Sequence, residues 1–202
     1  MGSLQELSIR LSTLAVFREL QEDAVINSLR KYLAEPSPAL YALFVSALYR
    51  ANGGILGAYV REICENSENV YVQAVGKKEE IPAYLREAVL EELKTLQMTA
   101  ELTPETLRSA MEYRGFLPGF VSEAPDIKAC YTERTANIGK YGYGIYAKNR
   151  MFYLGENAEI VPVSNPDKTE LSDLVDYARE RQIIIDNTKA LLEGCLLYTS
   201  PS

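Results

Sequence analysis

The chain has 202 residues, 47% of them apolar, and carries 28 acidic against 21 basic residues for a net charge of −7. That apolar share suffices for a folded core and excludes a disordered chain, while the acidic balance excludes general affinity for nucleic acid or anionic membrane. Histidine is absent, which removes Ser-His-Asp and Cys-His catalysis and the usual imidazole metal sites.

Taken in chain order, residues 4–33 read as two helices. Leu7, Leu11, Leu14 and Phe17 form the first apolar stripe, and Val25, Ile26, Leu29 and Leu33 the second. Glu22 and Asp23 suit the start of the second helix through its dipole. Pro36 and Pro38 break the chain, and residues 39–50 make a third helix with Leu40, Phe44, Ala47 and Leu48 inward, closed by Asn52-Gly53-Gly54. Residues 55–65 form a fourth. Residues 79–98 form a fifth, with Pro82 in its first turn and Leu85, Val89, Leu93 and Leu96 at helical spacing. Thr103 caps a short helix that has Pro104 in its first position and runs to about Tyr113.

Gly115, Pro118, Gly119 and Pro125 punctuate an irregular stretch over residues 114–126. Beyond it, Tyr143, Ile145, Met151 to Leu154 and Ile160 to Val163 read as short strands, with Lys148-Asn149-Arg150 and Glu156-Asn157 as turns. The glycine-rich run from Ile138 to Gly144 invites comparison with a phosphate loop. Its Lys140 precedes two of the glycines and no Ser or Thr follows, so a turn or a close backbone approach is the expectation. Residues 128–150 are also locally basic and aromatic. Lys128, Arg134, Lys140, Lys148 and Arg150 stand against Glu133 alone, with Tyr131, Tyr141, Tyr143 and Tyr146 among them. Rings beside positive charge can grip single-stranded nucleic acid, and they can equally be strand formers packed on a helix.

Cys64, Cys130 and Cys195 are odd in number and widely spaced, which suggests a reducing compartment, buried inert thiols, and neither a disulfide framework nor a zinc site. No apolar run is long enough to span a bilayer. Glu6, Arg10, Arg18 and Glu19 occupy the place of a secretory apolar stretch, so a cytoplasmic chain is expected.

The last part, TELSDLVDYARERQIIIDNTKALLEG over residues 169–194, reads as an apolar turn followed by a long amphipathic helix. Asp176 can cap this helix and Gly194 can end it, while Ile183, Ile184, Ala190, Leu191 and Leu192 form its apolar side. The segment resembles the approach to the phosphate-binding loop in a family of uncharacterised bacterial AAA-type ATP-binding proteins, a domain of unknown function. Asp173, Leu174 and Val175, then Arg181 and Gln182, then Asn187, Thr188, Leu192 and Gly194 carry the match. The specific likeness runs from about residue 146 to residue 194.

The resemblance implies a variable helical half, a short β stretch ending in a Pro-Val pair (here Pro162-Val163), and then a P-loop ATPase core. It implies Mg-ATP bound and hydrolysed in the intact parent, with the helical half choosing a partner to be remodelled, and oligomerisation of the parent is possible. Val175, Asp176 and Tyr177 fall where AAA-type proteins pass backbone beside the adenine ring; from the residues alone, Val175 is equally a core residue and Asp176 a helix cap. After Gly194 the chain reads CLLYTSPS, which lacks the glycines and Lys of a phosphate loop and resembles adapter read-through. A foreign tail on a truncated chain is the expectation, and a native strand over residues 195–198 the alternative. The fold expected is α+β, mainly α. Its parts are a helical domain over residues 1–113, an irregular and small antiparallel β region over 114–167, the start of an ATPase core over 168–194, and the tail over 195–202. This fragment is expected to be inactive and to bind ATP weakly if at all. The alternative is a stand-alone helical protein-interaction domain without nucleotide chemistry.

Overall fold

Most of the early helices start at a side chain that accepts a free backbone N–H. The computed structural model describes residues 2–149, 151–155, 158–163, 166 and 177–192. Helix α1 spans Gly2–Ser12, a 3-10 turn Arg18–Gln21, α2 Ala24–Ala34, α3 Pro38–Asn52 and α4 Leu56–Glu65. Asp23 caps α2 by accepting from the N–H groups of Val25 and Ile26 at 3.0 and 2.9 Å. Ser37 caps α3, which ends at Gly53 in the left-handed conformation with φ of 77°. Helix α5, Val70–Lys77, is absent from the sequence expectation although its signal was present: Asn69 accepts from Val72 N–H just ahead of an apolar run. Helices α6, Ala83–Ala100, and α7, Pro104–Arg108, follow, the latter capped by Thr103 as expected.

These helices share one buried core. Leu7, Leu11, Leu29, Phe44, Leu48 and Leu93 are all essentially inaccessible. Phe17 reaches that core from the turn after α1 rather than from the helix, which already stops at Ser12. Glu92, in the middle of α6, holds this turn. Its carboxylate accepts from the N–H groups of Ala15, Val16 and Phe17 at 2.8–3.1 Å, so three donors in a turn converge on one anion.

The core does not stop at residue 113. Residues 127–148 form α8, Ile127–Ala136, and the short turns α9, Ile138–Tyr141, and α10, Ile145–Lys148. Strands were expected around Tyr143 and Ile145, and the structure corrects this. Ile127, Tyr131 and Thr135 recur every four residues and are all buried, a helical period that the alternation of tyrosines obscured. Asp126 caps α8 through Ala129 N–H at 2.8 Å, and Ile127 and Tyr131 belong to the same core as α1–α6. One compact unit extends over Met1–Arg150. Helix α7 also ends at Arg108, earlier than expected, where the chain turns into the 109–126 segment.

The second compact unit is Met151–Ser202. Strands β1, Phe152–Leu154, and β2, Ile160–Pro162, pair antiparallel with Tyr153 opposite Val161. Helix α11 spans Ala178–Leu192. The fold is thus α+β and mainly α, with a small antiparallel sheet. Among the described residues, no helix is long and apolar enough to cross a membrane.

Candidate functional site

Of the residues expected beside an adenine ring, Val175 and Asp176 lie outside the described residues. Tyr177 is exposed immediately before α11, and its carbonyl accepts from Arg181 N–H at 2.9 Å, an ordinary first-turn bond. The capping role expected of Asp176, and the helix end expected at Gly194, likewise fall outside the described residues.

The glycine-rich run is not a phosphate cradle. Gly142 donates its N–H inward to the Ile138 carbonyl at 2.8 Å. Gly142 and Gly144 both have positive φ, 67° and 55°, and break the chain between α9 and α10. A Cβ at Gly144 would lie 2.2 Å from Glu68 Oε2, so this backbone faces a carboxylate, the opposite of what a phosphate requires. Glu19, Asp23 and Glu68 line the adjoining open pocket. Tyr143 packs its ring against Gly76 of α5, where a Cβ would approach to 3.0 Å. Gly76 thus leaves room for this ring.

Among its described residues, the basic, tyrosine-rich stretch presents no row of free rings. Tyr131 is buried and hydrogen-bonded to Asn69 Nδ2 at 3.2 Å. Tyr141 already has cations on its ring, Arg134 and Lys140 at 5.3 and 5.2 Å from the centroid. The side chains of Tyr146, Lys148 and Arg150 lie outside the described residues.

Burial raises several phenols and one thiol in the first unit. Burial pushes the Tyr32 phenol up to about 12 and also raises Tyr59, where the Asp23 carboxylate adds to the effect. Cys64 is buried, as expected, and burial raises its thiol well above the ordinary value; Cys130 is partly buried. Among the described residues no group of three or more Cys, Asp or Glu side chains could hold a metal.

What the fold does present is a held loop. Residues 113–121 cross the end of α3, and several donors bind their carbonyls. Arg108 Nη2 donates to Leu117 and Pro118 at 2.7 and 3.0 Å, Tyr41 Oη to Pro118 at 2.9 Å, and Tyr49 Oη to Gly119. Val121 forms a parallel bridge to Ile55, donating to the Gly54 carbonyl and accepting from Leu56 N–H at 2.8 and 3.0 Å. Leu117 and Phe120 pack against the core. The stretch just ahead of these anchors carries Phe116, 89% exposed, beside half-exposed Tyr113. With Arg108 and Arg114 they line an open pocket of about 380 Å³. The sequence reading passed over this stretch as irregular; its signal was an aromatic pair and an Arg set among Gly115, Pro118 and Gly119.

No protein-family model, no curated protein and no solved structure matches the chain.

Proposed function

We propose that this chain is the N-terminal part of a AAA-type ATP-binding protein, with the Met1–Arg150 unit as the module that selects a protein partner. The observation that carries the reading is α11. The helix stands where the resemblance places the approach to a phosphate loop, and Ile183 and Ile184 on it are about half exposed. Apolar surface of that kind suits a helix that packs against a further layer, such as a P-loop sheet. Partner selection is supported by a self-contained helical core that displays a held aromatic loop.

ATP and Mg²⁺ belong to the intact parent in this reading. Gly144 of the glycine-rich run does not fit a phosphate, because it faces Glu68. Phosphoryl transfer depends on backbone amides, a Lys and Mg²⁺ around the phosphates, and all of these would lie beyond α11. The test is the coding sequence past codon 194, determined independently from genomic DNA. An apolar strand and a Gly-Lys-Ser/Thr loop are expected within about fifteen residues. Any other continuation overturns the ATPase reading. The second reading, a helical interaction domain without nucleotide chemistry, is favoured by the same 113–121 loop, and it would then stand alone.

A further inference from the structure

The 113–121 loop combines a fixed base with an exposed aromatic tip. Five side-chain and backbone donors fix residues 117–121, yet the ring just ahead of them, Phe116, is the most exposed of the loop and packs on almost nothing. Rigidly displayed aromatic side chains are the usual anchors of protein recognition, because they lose little entropy on binding.

Charge decides what the loop would bind. Arg108 is fixed by two carbonyls and by the Tyr41 ring, 5.8 Å from its guanidinium carbon, all of them neutral partners. Its buried Nε has no hydrogen-bond partner. Arg114 lines the same pocket and is exposed. Neither arginine forms an ion pair among the described residues, although Glu105 and Glu112 are close in sequence. Two uncompensated guanidinium groups flanked by rings suit a carboxylate next to an aliphatic side chain. A pocket of about 380 Å³ takes one or two side chains, not a run of nucleotides.

The geometry points to a peptide-binding site at residues 108–119, in which Arg108 and Arg114 receive a Glu or Asp side chain of a partner protein and Phe116 and Tyr113 cover the neighbouring aliphatic residues. This site rests on the reading of the Met1–Arg150 unit as a partner-selecting module and supplies the partner's chemistry.

Fluorescence anisotropy on the full chain tests it with four labelled probes: a peptide alternating Glu and Asp with Leu, its Gln/Asn isostere, a Lys/Leu peptide, and oligodeoxythymidine. The acidic peptide should bind, the isostere at least about tenfold more weakly. Arg114→Glu and Phe116→Ala should each weaken the acidic peptide by about tenfold or more, and Lys31→Glu, an exposed charge on α2, by less than about twofold. Both test residues are exposed, so circular dichroism should show unchanged folding. Absence of acidic-peptide binding overturns the site, as does equal binding of the isostere, tight binding of oligodeoxythymidine alone, or indifference to both variants. Binding of the Lys/Leu peptide alone overturns the acidic assignment while leaving partner selection standing. The gene-continuation test is independent of the loop, so a wrong ligand class and a wrong functional reading give different results.

Discussion

Glu92→Ala removes the anion on which the turn after α1 is built. Three backbone donors would lose their acceptor: Ala15 at 2.8 Å, Val16 at 3.1 Å to each oxygen, and Phe17 at 2.9 Å. A hydrogen bond to a charged group contributes about 1.5–3 kcal/mol, and an unsatisfied buried donor costs about 1–3 kcal/mol. Ala15 is exposed and can turn to water, whereas Val16 and Phe17 are buried. Two uncompensated donors therefore set the loss at about 3 kcal/mol. Glu92→Gln keeps one acceptor oxygen and should cost about half as much. For a unit of this size the Ala variant should lower Tm by about 9 °C, at about 3 °C per kcal/mol. Glu91→Ala is the control, since Glu91 makes only an exposed pair with Lys94 and should change stability by less than about 0.5 kcal/mol. Urea titration followed by circular dichroism gives the three values, and amide exchange at residues 15–17 localises the effect. If Glu92→Ala proves no worse than Glu91→Ala, the carboxylate is not what holds the turn.

Two glycine substitutions should have opposite signs. Gly57 lies in α4, where Ala is normally the better residue, but its Cβ would fall 1.7 Å from the Glu123 carbonyl oxygen, so Gly57→Ala should destabilise by several kcal/mol. Gly139→Ala meets nothing within 4 Å at ordinary φ and should stabilise by about 0.5–1 kcal/mol, with thermal melts separating the two. Asp23→Ala removes both the α2 cap and the acceptor for Tyr59 Oη at 2.5 Å; a loss of about 2–3 kcal/mol in urea is expected, and Asp23→Asn should recover part of it. High pH should unfold the protein cooperatively. The Tyr32 phenol is raised to about 12 from an ordinary 10, so the unfolded chain ionises first. Stability is then full below pH 10 and falls by about 1.4 kcal/mol per pH unit for each such tyrosine between the two values. Tyr59 and Tyr131, raised in the same direction, add to the slope. Phenolate absorbance appearing in step with loss of helical signal is the expected result, and stepwise titration without unfolding would contradict it.

The helices over the first hundred residues, α5 excepted, were legible because their signals are local. Asp23 at the start of α2, the Thr103 cap, the left-handed Gly53 and the four-residue spacing of Val89 and Leu93 each act within a turn or two of chain. Leu40 and Leu85 were expected inward and lie at the edge of the core, packed against it but partly open. Composition and periodicity alone thus determined a mainly helical chain with a buried aliphatic core.

Tertiary structure decided the rest. Residues 127–148 alternate like strands, but burial of Ile127 and Tyr131 against α4 and α6 selects the helical period, because that period puts both on one face. Nothing local pairs Glu92 with the N–H groups of Ala15 to Phe17, a contact that spans more than seventy residues. The 113–121 loop is held by Tyr41, Tyr49 and Arg108, side chains whose sequence positions say nothing about the carbonyls they meet. A carbonyl in an irregular segment has no periodic partner, so only the packed helices around it determine which donor it finds and which ring is left facing water.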